Sequence, residues 1–524
     1  MIFRSPFPDV TVPDVSVPEY LFGDLGDRAE RPALIDGLNG FTLTYAELAG
    51  QANRLAAALA ERGIGKGDVI AMLCPNTPHY AVVFHGILRA GAVATTINSL
   101  YTPEEIAFQL RDSGAKMLFT VSVLAANARQ GLELAGIGAD QLVVLDGVVG
   151  QTTLAELLSI AAAPPKIDFD SANDLAVLPY SSGTTGRAKG VELTHRNLVA
   201  NIAQFLAVSP TGSSDRILAV LPFFHIYGMQ VIMNAPLRVG GTVVTMPKFD
   251  FAHFLQVISQ HRTNRVYIAP PVAVALAKHP AVEAHDLSCI DVVFSGAAPL
   301  DEELASLVSK RLNCAVRQGY GMTEMSPVSH AIPLDRDDIS VGSIGLTLPN
   351  MECKIVDSET GAEVGVGERG ELWCKGPNVM RGYLNNAEAT ANTLDADGFL
   401  HTGDVAVVDD NGVFTIVDRV KELIKYKGYQ VPPAELEAIL LTHPGIADAA
   451  VIGVKDAEGE EVPKAFVVRQ PSAAELSEAD VMTFVAEHVA PHKKVRAVEF
   501  IEVVPKSASG KILRKDLRAR ETQH

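Results

Sequence analysis

Cysteine is scarce in this chain. Five thiols in 524 residues (Cys74, Cys289, Cys314, Cys353 and Cys374) are scattered and form no Cys-x-x-Cys pair. That spacing argues against a disulfide framework and a zinc module, and it fits a reducing, cytoplasmic compartment. Basic charge is also short: 44 Lys and Arg face 62 Asp and Glu, a formal net charge of −18. Such a field disfavours nucleic acid and anionic membranes as partners, so a small anionic substrate would need a local basic pocket. The N-terminal Met-Ile-Phe-Arg-Ser-Pro-Phe-Pro lacks the apolar core of a secretory signal, and the C-terminal Glu-Thr-Gln-His lacks a Ser-Lys-Leu address. Residues 217–237 carry no Asp, Glu, Lys or Arg, but Pro222, His225, Gly228, Gln230, Asn234 and Pro236 interrupt them. We read this stretch as a buried strand, a turn and a core helix, with no stable membrane insertion.

A Walker A loop is missing too. The stretch 180–190 reads Tyr-Ser-Ser-Gly-Thr-Thr-Gly-Arg-Ala-Lys-Gly, and Lys189 is followed by Gly190 rather than Ser or Thr. The loop still suits a polyphosphate. Its glycines let the backbone approach closely, its hydroxyls and N–H groups donate, and Lys189 adds charge. By composition alone it equally suits a plain surface loop.

The length calls for several domain-sized units. The first half alternates helical and strand patterns. A helix over 44–62 places Leu48, Ala52, Leu55, Ala58 and Leu59 on one face. Strands are predicted at 69–73, 92–97, 116–121, 141–145, 242–246, 265–268 and 291–294, which implies α/β layering with mostly parallel sheets. From about residue 340 to 418 the pattern turns β-rich, with strands at 343–357, 370–375, 398–400 and 405–418 and a hairpin signal at Asp409-Asp410-Asn411-Gly412. Beyond 418 the order helix, strand, strand, helix, strand describes a compact α+β unit. The predicted fold is therefore α/β. A large N-terminal domain (1–418) of layered α/β subdomains with a β-rich subdomain is followed by a small mobile α+β domain (419–524).

Five further segments stand out. Pro222 to Gly228 puts His225 and Tyr227 inside an apolar run. Ser295 to Leu300 follows a predicted strand, where ligand crevices form in open α/β sheets. Gln318 to Glu324 combines glycines, an aromatic, a hydroxyl and a carboxylate. His401 to Asp404 ends a short strand on an acid, and Lys506 to Lys511 sets a lysine after a small-residue turn. Each alone has a bland reading: a core histidine, a turn, a solvated lysine.

Taken in this order, with Gly370–Gly376, 418–430 and 505–514, they resemble the acyl-adenylate-forming superfamily over nearly the whole chain. Within it the chain is most similar to the 4-coumarate–CoA ligase family. It departs from that pattern at Arg187-Ala188 and at Gly370 to Gly376, the second loosening the plant-type assignment. The resemblance implies an ATP-dependent carboxylate–CoA ligase that forms an acyl-adenylate and then a thioester, with ATP, coenzyme A and Mg²⁺. By it, Ser181, Ser182, Gly183, Thr184, Thr185 and Lys189 hold phosphates, Thr323 donates to phosphate and Glu324 holds Mg²⁺. Gln318, Gly319 and Tyr320 lie along the adenine; Asp404 and Arg419 take the ribose hydroxyls. Lys511 bridges the carboxylate and the α-phosphate, and His225 joins the catalytic set. For the second half-reaction the small domain swings about Asp418. Lys421 and Lys425 then serve AMP, and Lys248, Lys427 and Gly428 serve CoA.

The same resemblance places the acyl pocket at Tyr227, Met229, Val231, Ala297, Gly319, Gly321 and Val328. Small residues at 297, 319 and 321 are expected to leave room for a flat ring, and Val231 offers no hydrogen bond. That favours a cinnamate- or 4-coumarate-like acid. The alternatives are a medium-chain fatty-acyl or other aryl-CoA ligase and, from another class, a non-catalytic ATP-binding protein. The expected partners are a small carboxylic acid, ATP and CoA, for a monomer or homodimer with no nucleic acid.

Overall fold

The computed structural model describes residues 1–181, 188–357, 359–419, 422–426, 429–456, 461–507 and 510–521. Two nine-stranded sheets carry most of the first 350 residues. In the first, Val69–Leu73, Val93–Thr96, Met117–Thr120 and Leu142–Val144 pair in parallel. The hairpin Tyr180–Ser181 with Lys189–Thr194 closes its opposite edge. The covering helix Tyr45–Glu61 starts where Thr44 caps it: Thr44 Oγ1 accepts the Glu47 N–H at 3.2 Å, and Glu47 returns a carboxylate to the Thr44 N–H at 2.8 Å. Its apolar stripe, including Leu48, Leu55 and Leu59, is buried. Each such leucine contributes about 1.5–3 kcal/mol.

The second sheet runs in the order Leu346–Thr347, Val328–Ala331, Ala315–Gly321, Val292–Ser295, Arg265–Ile268, Arg216–Ala219, Thr242–Thr245, Pro32–Asp36, Thr42–Thr44. From Pro32–Asp36 to Ala315–Gly321 every pairing is parallel. The carboxyl ends of these strands therefore open on one side, the side where ligands bind in such sheets. The chain is α/β as predicted, but not in simple serial order. Pro32–Asp36 crosses into the sheet built by residues 216–347. Phe3–Arg4 pairs with Cys353 and Glu352 at the edge of the β-rich sheet.

That β-rich sheet is five-stranded and antiparallel: Phe3–Arg4, Glu352–Val356, Gly370–Lys375, Leu400–Val408 and Phe414–Arg419. The strands predicted separately at 398–400 and from 405 are one strand. Glu371 faces Val405 but Trp373 faces His401, so the longer strand bulges between them. Gly403 at φ +72° supplies the left-handed turn of that bulge. The bulge is what the sequence presented as a strand end at Thr402–Asp404.

After Phe414–Arg419 the apolar core changes. The main cluster ends at Phe414, and a separate one gathers Ile424, Val431, Leu436, Leu440, Val451 and Val467. The strands Ile446–Lys455, Glu461–Arg469 and Ala497–Phe500 form its sheet, covered by the helices Pro433–Thr442 and Glu478–His488. Residues 217–237 form the end of a strand, a turn, a π-helical segment Gly228–Asn234 and the helix Ala235–Val239. Among the described residues no helix is long and apolar enough to cross a membrane.

Candidate active site

The first wall of the site is the strand pair Tyr180–Ser181 and Lys189–Thr194. Ser181 lies opposite Lys189 in its register, and Tyr180 opposite Gly190. Ser182, Gly183, Thr184 and Thr185 lie outside the described residues. The Tyr180 hydroxyl anchors the pair by donating to Asp112 at 2.6 Å. Glu324 follows the strand Ala315–Gly321 in a short 3₁₀ turn, Thr323–Met325, with Thr323 half-buried beside it. The Glu324 carboxylate is buried, and its Oε1 accepts from Ser181 Oγ at 2.9 Å and Tyr383 Oη at 2.8 Å. The Lys189 ammonium sits 4.4 Å above the Tyr383 ring. Tyr383 thus ties the acid to the lysine, a residue sequence reasoning missed. Its signal was indirect: the short strand Gly382–Tyr383 pairs with Lys189–Thr194.

The second wall holds the other acid. The bulge at Gly403 aims Asp404 toward Tyr320, whose hydroxyl donates to Asp404 Oδ2 at 2.6 Å. Arg419 Nε lies 3.0 Å from Asp404 Oδ1. Both oxygens of a buried carboxylate are thereby engaged. Hydrogen bonds to a charged group contribute about 1.5–3 kcal/mol each. Burial, then the Asp404 charge, pushes the Tyr320 phenol well up, so it stays a donor.

Gln318 behaves differently from its expected part along the adenine. Its amide oxygen accepts from Leu300 N–H at 2.7 Å, and its nitrogen donates to the Val341 and Ser343 carbonyls at 2.7 and 2.9 Å. The side chain ties the loop at Leu300 to the loop at 341–343 and is buried.

The residues expected to line the acyl pocket begin on the turn after Arg216–Ala219. His225 is half-buried, and its Nδ1 accepts the Tyr227 N–H at 3.3 Å. Burial, then the Lys511 charge, lowers the His225 pKa to about 4, so the imidazole is neutral. Tyr227, Met229, Val231 and Val328 are buried. The Tyr227 ring lies on Gly296, where a Cβ would come within 2.9 Å of it, and its hydroxyl makes only a long contact of 3.4 Å to the Phe294 carbonyl. Ala297 is exposed at the strand's carboxyl end with φ +71°, a region an alanine rarely adopts. The glycines do not open space as expected. A Cβ at Gly319 would meet the Phe294 ring at 2.9 Å, and one at Gly321 would meet the Pro327 carbonyl oxygen at 2.2 Å. They are small because protein already fills that side.

A cation arrives from the C-terminal unit. Lys511 follows a tight turn in which Ser507 N–H donates to the Lys511 carbonyl at 2.8 Å. Gly510 packs on the large unit: a Cβ there would lie 3.0 Å from Ala269 Cβ. Lys278 Nζ also donates to the Leu441 carbonyl at 3.2 Å across the same seam. Burial, then Arg419, lowers the Lys511 pKa to about 8, with Asp404, Glu422 and Glu324 opposing. Lys511 therefore shares one electrostatic neighbourhood with both acids and His225. Arg514, three residues on, pairs with Glu422 and reaches Glu437 at 2.6 Å. That pairing braces the segment that follows Lys511, and no local pattern in the sequence points to it. At the junction Asp418 is buried and accepts the Arg419 and Ala434 N–H groups at 2.6 and 3.3 Å.

Of the residues expected to serve CoA, Lys248 is among the described residues. Lys248 is exposed on the loop between Thr242–Thr245 and Phe251–His261. Lys421, Lys427 and Gly428 lie outside the described residues, as does the Lys425 side chain on the strand Ile424–Tyr426.

Two paired acids, a lysine-bearing hairpin and a lysine from a second unit suit the meeting of a carboxylate with a nucleotide. The model of the AMP-binding enzyme family matches residues 24–384, and that of the AMP-binding enzyme C-terminal domain matches 435–511. The chain belongs to the AMP-binding enzyme family. This family member is 43% identical to 4-coumarate–CoA ligase 3 of Oryza sativa subsp. japonica, over 99% of the chain and 95% of the relative. It is also 43% identical to 4-coumarate–CoA ligase 1 of Narcissus pseudonarcissus, over 99% and 96%. Among solved structures, the anthranilate CoA ligase AuaEII with anthranoyl-AMP superposes at a TM-score of 0.90, 27% identity and 98% coverage of both chains. The chain is an acid–thiol ligase of this family, using ATP and CoA. Mg²⁺ accompanies ATP in this family. A buried carboxylate such as Glu324 is a fitting oxygen ligand for that hard cation alongside substrate phosphates.

Proposed function

We propose that the protein activates cinnamate- or 4-coumarate-like acids as their CoA thioesters. The similarity of nearly the whole chain to 4-coumarate–CoA ligases carries this reading. Tyr227, with its weakly engaged hydroxyl, supports it as the group that meets a ring substituent. A hydroxyl-recognising site discriminates strongly because its polar group is otherwise left unpaired.

The acid's carboxylate oxygen attacks the α-phosphorus of ATP and pyrophosphate leaves. The CoA thiolate then attacks the acyl carbon, and AMP leaves with the electron pair. In the first step two anions meet, so charge stabilisation dominates. Lys511 spans the carboxylate and the α-phosphate, a task suited to a compact ammonium on a long stem. The hairpin of Ser181 and Lys189, with Thr323, grips the leaving phosphates. Glu324 would hold Mg²⁺, which would supply positive charge to offset the phosphates. Asp404 and Arg419 hold the ribose, and Gly319 and Tyr320 border the base. His225, neutral, borders the acyl carboxylate; Met229, Val231, Ala297, Gly321 and Val328 complete the pocket.

Residues 1–418 and 419–524 act as two domains hinged at Asp418. Rotation withdraws Lys511 and brings Lys421 and Lys425 to AMP, while Lys248, Lys427 and Gly428 meet CoA. Five free thiols among the described residues favour a reducing cytoplasm.

A second reading is another aryl acid, since the anthranilate ligase aligns over 98% of the chain. The test is CoA-dependent AMP release with cinnamate, 4-coumarate, benzoate and octanoate. The highest kcat/KM is expected for 4-coumarate or cinnamate. A benzoate preference would replace the cinnamate reading with the second one, and octanoate in first place would overturn both.

A further inference from the structure

Behind the nucleotide wall lies a group of soft donors that the ligase reaction does not use. His330, Cys353 and Cys374 are all fully buried, and their ligand atoms lie within 4.8 Å of one another. The two cysteines are direct cross-strand partners in the β-rich sheet. Cys353 Sγ is 3.8 Å from Cys374 Sγ and 3.7 Å from His330 Nε2. These two distances from Cys353 are the ones expected between donors bound to one ion about 2.3 Å from a sulfur and about 2.0 Å from a nitrogen, at angles of about 110–120°.

The surroundings suit a metal. The other imidazole nitrogen, Nδ1, is held by Ser329 Oγ at 2.9 Å, the outer contact that fixes a ligating histidine. The Phe414 ring packs on the imidazole with centroids 4.7 Å apart. Thr347 Oγ1 reaches both Nε2 at 3.2 Å and Cys353 Sγ at 3.8 Å. This hydroxyl has one proton to donate, to one of them at a time, and can rotate away when an ion binds. Among the described residues no fourth His, Cys, Asp or Glu joins the group. A structural zinc site is almost always four-coordinate, whereas soft thiolate ligands also select Cu(I), an ion stable at three-coordination.

We propose that His330, Cys353 and Cys374 form a three-coordinate site for a soft monovalent cation, Cu(I). Two thiol protons are released as the ion binds, so its affinity rises with pH. The site lies directly behind the nucleotide wall, because His330 is the ladder partner of Tyr320.

The test is anaerobic titration of the full-length protein with Cu(I), in competition with bicinchoninate. One tight equivalent is expected, with thiolate-to-copper charge-transfer absorption in the ultraviolet. Cys374→Ser and Cys353→Ala should each weaken binding by at least about 100-fold, the upper scale seen for outer-shell partners alone. Cys74→Ala, which removes a buried thiol elsewhere, should leave it intact. Three results would each overturn the proposal: Cu(I) staying with the chelator, equal losses in Cys74→Ala, or preferred binding of Zn²⁺ in a four-coordinate geometry.

Discussion

The two acids and the distal lysine reach the same cleft by opposite routes. Glu324 and Asp404 are held by hydrogen bonds from within the large unit, through Ser181, Tyr383 and Tyr320. Lys511 stands on a turn of the other unit and meets the large one through small contacts such as Gly510 on Ala269. Under the proposed function the wall is built once and serves both half-reactions, while the lysine is delivered from the second unit and can be withdrawn. Substitutions in the wall should therefore harm both half-reactions where they touch the nucleotide, whereas the lysine should matter in one.

The largest wall effect is expected at Glu324. Glu324→Gln should lower pyrophosphate release by about 10³-fold, the scale of removing one electrostatic contact to a developing charge. A loss below tenfold would remove Glu324 from the wall. Asp404→Asn comes next, with about 10–100-fold losses in both adenylation and thioester formation from supplied acyl-AMP, from one weakened charged contact. Unequal losses in the two assays would break the contrast. Tyr320→Phe should cost about tenfold, again in both, because it leaves one Asp404 oxygen unpaired.

The gentlest probe is pH. Burial, then Arg419, lowers the Lys511 pKa to about 8, and the role proposed for it needs the charged form. Adenylation kcat/KM in the free enzyme should hold below that value and fall about tenfold per unit above it. Thioester formation from acyl-AMP should not share that descent. A descent common to both would assign the titration to a group other than the lysine.

How far the sequence could be read follows the range of the interactions. Local patterns were legible: Val69–Leu73, Arg265–Ile268 and Gly370–Lys375 form the strands that their apolar runs predicted. So was the family, because its motifs are contiguous. Long-range pairings were not. Nothing in Phe3–Arg4 announces a partner some 350 residues away, and the Gly403 bulge looked like a strand end. Side-chain direction was also hidden. Gln318 turned out to bind loops together, and at Gly319 and Gly321 the side where a Cβ would stand is filled by protein. Tyr383 and Arg514 were missed for the same reason: their partners are distant in the chain.

The most direct test of the contrast is Lys511→Ala measured in both half-reactions on one preparation. A fixed wall and a delivered lysine predict that pyrophosphate release falls by at least about 10²–10³-fold. Conversion of supplied acyl-AMP and CoA to thioester should stay near the parent rate. Equal losses in the two assays would contradict the account.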